Sequence, residues 1–328
     1  MAMHTLEPAD EYWHEPDSDD DLWRESYYFD FYDPDTGMSA FTSLGYRLNK
    51  GYMGYTTAIK YDGHVYLRQD YGKPTENEKI MVEGCVYEPT VPLQEWRLRQ
   101  LGPINRFEFR TDAMNRSPKE FPVDDAPTVS LDLNLTFEAI HDVVEYYTEA
   151  DEEVYDIISA VFNEHYQQSG RMTGEVTIGD ETVSVDGVGH RDHSWGIRDW
   201  RGPDGWKWIV AIFGTETAVT WVEVETEDGA AIEGYLMDDG ETHRVDEVTI
   251  DSTFQPDGRT QDRIDFTVVD TAGREFQGVG DAETIIPVVF EYEDFVGHVQ
   301  RAPTTFESAD GRIGYGWSEY MFKTPAEE

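Results

Sequence analysis

Residues 129–137 read VSLDLNLTF, in which Val129, Leu131, Leu133, Leu135 and Phe137 alternate with polar residues. Successive side chains of a β-strand point to opposite faces, so this period of two describes a strand with one apolar and one polar side. The same period recurs outward in both directions. In SYYFDFY (26–32) Tyr27, Phe29 and Phe31 share a face, and in RIDFTVVD (263–270) Ile264, Phe266 and Val268 do the same. Turn-forming clusters separate the runs: DPDTG (33–37), YDGH (61–64), IGDE (178–181), EDGA (227–230) and QPDGRT (255–260). Many short strands punctuated in this way predict an antiparallel sandwich or barrel.

One segment breaks the pattern. Between 138 and 163, Val154, Ile157, Ile158, Val161 and Phe162 recur at helical spacing, although the latter half could instead run into the strand near EHYQQSGRMTGEV. It divides the strands into two sets of similar density, about 23–137 and 165–323. The expected organisation is all-β: an acidic arm over 1–20 lying on the surface, a barrel over 21–163 that includes one linking helix, and a second barrel over 164–328.

Acidic residues number 68 against 25 basic, for a net charge of −43. Such a chain is repelled by nucleic acids and anionic membranes. The acids sit in nearly every turn, as in DSDDD (17–21), EADEE (149–153) and MDDGE (237–241). That distribution is similar to the surfaces of salt-in halophilic archaea and points to solvation more than to one partner. The single cysteine, Cys85, lies in a strand-like run and reads as a buried thiol. The N-terminus lacks a basic and apolar leader pattern, and no apolar run could span a bilayer. The expectation is a soluble, cytoplasmic protein that is not membrane-spanning.

The densest chemistry is GVGHRDHSWGIRDWRGPDGWKW (187–208), with two His, three Asp, three Arg and four Trp. On a strand, His190, Asp192 and Ser194 fall on one face and Arg191, His193 and Trp195 on the other. Gly187, Gly189 and Gly196 allow close backbone approach or a bulge. A carboxylate beside a histidine can orient it for acid–base work or can anchor a barrel corner. Aromatic residues continue through Trp200, Trp206 and Trp208, then VTWVEVE with Trp221 and Glu223, then GYGWSEYMF with Tyr315, Trp317 and Glu319. Trp mixed with Asp, His, Arg and Glu suits an apolar ligand pocket with a few polar groups, because buried charges must be paired or used. A metal site is not expected, since His190 and His193 point apart and no cysteine set or metal-binding helix motif helps. No nucleotide-binding loop or serine elbow appears.

At GVGHRDHSWG, preceded by HYQQSGRMTGEVTIGDETVSVDG and followed by WKWIVAIF and TWVEVE, the sequence resembles the hydroxyneurosporene synthase (carotenoid 1,2-hydratase) superfamily, on a branch with the motif RDHSWG. WRESYYFDFYDPDTGMSAFTSLGYRLN also resembles the first strands of its barrels. The resemblance implies two lipocalin-like barrels in tandem, the second carrying the DHSW element. It implies that His193 and Trp195 line a pocket in which a carboxylate, here Glu223, protonates an alkene. Glu223 stands where the superfamily has Asp, and Trp221 where it has Tyr. Asp192 would hold His193 in one tautomer. Trp195, Trp200, Trp208, Trp221, Tyr315, Trp317 and Glu319 would line the cavity, with Arg198 pairing an acid behind it. The implied activity is cofactor-independent, acid-catalysed hydration, cyclisation or isomerisation of an isoprenoid or other lipid. The alternatives are a non-catalytic lipid or terpenoid carrier and a structural barrel in a larger assembly.

Overall fold

The computed structural model describes residues 6–73, 80–108, 126–146, 157–159, 161, 164–227 and 229–326. The first sheet contains β1 (Trp23–Asp33), β2 (Met38–Arg47), β3 (Tyr52–Tyr61), β4 (His64–Gly72), β5 (Ile80–Val82) and β6 (Cys85–Val91). It continues with β7 (Glu95–Glu108), β8 (Thr128–Ala139), β9 (Val144–Glu145), β10 (Glu164–Ile178) and β11 (Glu181–Ile197). Strands β4, β3, β2, β1, β11, β10, β8 and β7 pair in that order. β7 then returns to β4, with Asn105 opposite Leu67, so eight antiparallel strands close into a barrel. Closure removes the exposed edges that an open sheet would leave.

The second sheet contains β12 (Gly205–Ile212), β13 (Ala218–Thr226), β14 (Gly229–Asp238), β15 (Glu241–Phe254) and β16 (Gln261–Asp270). It ends with β17 (Glu275–Ala282), β18 (Ile286–Glu291), β19 (Phe295–Ser308) and β20 (Ile313–Pro325). Its order is β17, β16, β15, β14, β13, β12, β20, β19, and β17 pairs β19 to close a second ring of eight, with β18 added outside β19. The strands up to β11 and those from β12 onward form two compact units. No described helix is long and apolar enough to cross a membrane.

Alternation predicts both cores. Leu131, Leu133, Leu135 and Phe137 pack with Phe29, Phe31 and Trp96 in the first barrel. Ile264, Phe266 and Val268 pack with Trp221 and Phe306 in the second. The hairpin at YDGH turns through Asp62 and Gly63, both at positive φ (46° and 71°). Two such residues make the tight turn whose twist matches its strands. Cys85 is fully buried, and burial pushes its thiol up to about 12.

Three expectations change. The division does not fall at 163/164: β10 pairs with β8 and β11, and β11 pairs with β1, so residues 164–197 complete the first barrel. The strands before residue 140 that join the first ring number only six, two short of closure. The DHSW element therefore belongs to the first barrel. Of the expected helix over 138–163, the start is the end of β8 and the bridge β9, residues 157–159 form a brief turn, and 147–156, 160, 162 and 163 lie outside the described residues. Finally, the arm does not simply lie on the surface. Glu11 is fully buried and Asp10 nearly so.

Candidate active site

Three neighbouring strands build the site. Tyr27 of β1 stands opposite His193 of β11, and His193 opposite Tyr166 of β10. One rung along, Phe29, Arg191 and Gln168 align; on the other side, Glu25 stands opposite Trp195. Residues directly opposite in an antiparallel pair share a face. Here that face is the barrel interior, because Tyr27 and Phe29 belong to its core. The arm supplies the rest. Its 3-10 turn, Pro8–Glu11, is held by a capping box in which Glu7 and Asp10 satisfy each other's backbone amides. The chain then delivers Glu11, Trp13 and His14 to the same end of the barrel.

His193 is held at both ring nitrogens. Its Nε2 lies 2.7 Å from Glu25 Oε1 and its Nδ1 lies 3.0 Å from the Tyr166 hydroxyl. Tyr27 stacks on the imidazole at 4.1 Å, and Trp195 and Tyr166 flank it at 5.0 and 5.3 Å. Glu25 also receives the His14 backbone N–H at 2.7 Å and faces His14 Nδ1 at 2.8 Å. Trp195 stacks on His14 at 4.1 Å. Behind Tyr166, Arg191 donates to Glu11 at 2.8 Å and to Gln168, while its guanidinium lies over Trp96 and Tyr166.

The electrostatics follow from burial and pairing. Burial alone would raise the Glu25 carboxyl, but hydrogen bonds from His14 and His193 hold it below the ordinary carboxylate value. Burial lowers His193 in spite of Glu25, so its neutral form dominates at neutral pH. Burial also opposes the charge on His14, yet Glu25 and Asp10 together raise it. A neutral His193 facing a carboxylate carries its proton on Nε2, leaving Nδ1 to accept from Tyr166. The single Tyr166 proton has a second acceptor, Glu11 Oε1, at 3.1 Å. A line of polar contacts thus runs from partly exposed His14 through Glu25, His193 and Tyr166 to Glu11 and Arg191, with the Tyr166 proton given to either His193 or Glu11.

The expected site residues separate into groups. His193 and Trp195 stand together in the first barrel. Asp192 lies on the opposite face of β11, so the carboxylate on the His193 ring is that of Glu25. Arg198 is buried on that opposite face too, donating to the hydroxyls of Ser194 at 2.8 Å and Ser26 at 2.9 Å. Glu223 and Trp221 belong to the second barrel. Trp221 is fully buried in its core, and Glu223 accepts from Lys207 at 2.8 Å, an ion pair in place of a carboxyl isolated among apolar groups. Trp208 stands opposite Glu319, on the side of β12 and β20 that faces away from Ile209 and the interior. Glu319 accepts from Trp206 at 2.7 Å and pairs with Arg301. Trp317 and Tyr315 follow Glu319 by alternation, and Trp200 packs on Trp206 and Phe290. His190, Asp192 and His193 are split between faces, whereas His14, Glu25 and His193 converge.

Glu25, Tyr27, Tyr166, Arg191, His14 and Glu11 complete the site. Alternation could have found Glu25, an acid on the same face as Tyr27, Phe29 and Phe31. It also puts Arg191 beside His193. Nothing periodic marks Glu11 or His14, which reach the site from a segment without regular strand structure.

No curated protein matches the sequence. Among solved structures, a Nitrosomonas europaea protein described as an AttH is similar at 14% identity, 98% coverage of each chain and a TM-score of 0.64. CghA bound to Sch210972 is similar at 11% identity, with 93% and 89% of the chains covered and a TM-score of 0.55. Kievitone hydratase from Nectria haematococca is similar at 12% identity, with 90% and 88% covered and a TM-score of 0.54. At these identities the likeness is one of fold. Residues 7–324, from the arm to the last strand, match one family over their whole extent: the chain belongs to the family described as a domain of unknown function, DUF7064.

Proposed function

We propose that this chain is an enzyme that moves protons on an unsaturated, lipid-like small molecule, in a hydration, cyclisation or isomerisation, with His193 and Glu25 as its acid–base pair and no cofactor in the step. One observation carries the reading: a fully buried imidazole hydrogen-bonded at one nitrogen to a carboxylate and at the other to a tyrosine hydroxyl. That arrangement orients a base and connects it to a proton source. The fold supports it by analogy, since the similar kievitone hydratase is named for a hydration.

The protonation states narrow the chemistry. Protonating an isolated alkene needs a carboxylic acid kept neutral. Glu25 is held as an anion and His193 as a neutral base. The pair therefore suits a double bond polarised by a neighbouring group. The Tyr166 hydroxyl passes its proton to His193 Nδ1 as it takes one from water or a substrate hydroxyl, Glu25 stabilises the imidazolium, and the proton returns by the same route to carbon. Among isoprenoid and other lipid substrates, those with a conjugated carbonyl fit best. The faces of Tyr27 and Trp195 stabilise positive charge through cation–π attraction, about 0.5–2 kcal/mol each. Trp13 and His14 cover this end of the barrel, and substrate enters by displacing them. The net charge of −43 supports a soluble protein whose ligand is not a nucleic acid.

The test is incubation with conjugated and unconjugated isoprenoid lipids in heavy water, followed by mass spectrometry for solvent deuterium at carbon and for added water. Wild-type protein should label conjugated substrates. Glu25→Gln and His193→Gln should lose about a hundredfold or more of that rate. Labelling at the wild-type rate in Glu25→Gln would refute the assignment. Lipid binding without labelling in any form would favour the carrier.

A further inference from the structure

His14, Glu25 and His193 place one ligand atom each within 4.8 Å of one another, and they come from three separate places: the arm, β1 and β11. Glu25 Oε1 lies 2.8 Å from His14 Nδ1 and 2.7 Å from His193 Nε2, so the two ring nitrogens point at one spot. The other nitrogen of each ring is also held by oxygen: His14 Nε2 by Asp10 at 3.3 Å and His193 Nδ1 by the Tyr166 hydroxyl at 3.0 Å. Metal-ligating imidazoles are oriented this way, with the outer nitrogen bound to a carboxylate or other oxygen.

We propose that these three side chains bind one divalent first-row transition ion, with Zn2+ the best fit, and that the ion staples the N-terminal arm to the first barrel. Two imidazoles and a carboxylate are a borderline-soft set that suits Zn2+ better than Mg2+ or Ca2+. Bonds to Zn2+ are about 2.0–2.2 Å, so tetrahedral donors stand roughly 3.3 Å apart. The carboxylate oxygen would withdraw about half an ångström from each ring, and the two ring nitrogens, within 4.8 Å of each other, would settle at the same spacing. His14 is partly exposed, which provides an entry path and a side on which water completes the coordination. The protons balance. Loading releases the His14 Nδ1 proton to solvent and moves the His193 proton from Nε2 to Nδ1, where the Tyr166 oxygen accepts it. The site rests on these side chains and not on the reaction proposed above, and a loaded His193 no longer serves as a base.

The test uses the full chain, treated with chelator and titrated with Co2+ at about 1 M KCl, where the screening length of about 3 Å suppresses diffuse binding to the acidic surface. Visible absorption should report one bound Co2+, displaced by Zn2+. His14→Gln leaves the barrel sequence untouched and should weaken binding about a hundredfold or more; Tyr166→Phe, which removes only the outer hydrogen bond, should weaken it about tenfold. Zn2+ should raise the melting temperature of wild type and not of His14→Gln. Absence of the Co2+ band, or equal Co2+ affinity in wild type and His14→Gln, would overturn the site. Deuterium labelling of substrate by the metal-free protein is a separate readout, so either proposal can fail without the other.

Discussion

Glu11→Gln should destabilise the first barrel by about 3 kcal/mol, although it keeps the shape of the side chain. Glu11 and Arg191 are 0% and 1% exposed, and their ion pair at 2.8 Å ties the arm to β11. Besides Glu11, the guanidinium meets the Gln168 amide, the Tyr166 side chain and the face of Trp96. The amide removes the anion paired with Arg191 and leaves a buried cation, a change that costs about 3–5 kcal/mol in comparable sites. Replacing both partners removes that penalty, so Glu11→Gln with Arg191→Met should recover most of the loss, with a coupling of about 2 kcal/mol or more. The assay is denaturant and thermal unfolding in concentrated KCl. At about 2–4 °C per kcal/mol for a domain of this class, the single change should lower the first barrel's melting temperature by about 6–12 °C. A Glu11→Gln loss below about 0.5 kcal/mol, or a double variant no more stable than Glu11→Gln, would refute the reasoning.

Other consequences are accessible to simple measurements. Burial lowers the His141 pKa to about 4 against the pull of its Nδ1 bond to the Asp142 carbonyl, and Nε2 of the neutral ring accepts the Ser169 N–H at 2.8 Å. A histidine depressed on folding contributes stability that is complete above about 6.5 and lost as pH falls; denaturant titrations should show His141 alone removing about 2–3 kcal/mol by about pH 4.5, and His141→Asn flattening that slope. The arm behaves oppositely at its basic end. His14 is raised and Glu25 lowered, so their pairing is strongest between about pH 4.5 and 6.5. Hydrogen exchange at the His14 amide, corrected for intrinsic rate, should therefore quicken as pH rises through the elevated His14 value. Melting temperature should climb with KCl, because a net charge of −43 repels itself when unscreened, and a flat or falling curve would contradict this.

Much of the fold was legible because period-two alternation is a local property. VSLDLNLTF, SYYFDFY and RIDFTVVD put the expected residues into the two cores. Alternation also put Arg191, His193 and Trp195 on one face of β11. It carries no information about which strand lies beside β11, and the pairing that matters joins β1 to β11 across nearly the whole first barrel. Without it, the carboxylate adjacent in sequence, Asp192, was the natural partner for His193, while the actual partner is Glu25. The division between barrels was misplaced for a related reason: an apparent helix after β8 looked like a boundary, although the ring still lacked two strands. Glu11 and His14 were unreadable because the arm has no period, and acidic turns like it occur throughout this chain.

The most direct test is nitrogen-15 NMR of the His193 ring in labelled protein at about pH 7. The predicted spectrum is that of a neutral imidazole protonated on Nε2, with Nδ1 hydrogen-bonded as an acceptor. That state should persist below the ordinary histidine pKa of about 6.5, and the tautomer preference should relax in Glu25→Gln. An imidazolium at about pH 7, or a proton resident on Nδ1 in the metal-free protein, would contradict the assignment of His193 and Glu25 as a poised base and its carboxylate.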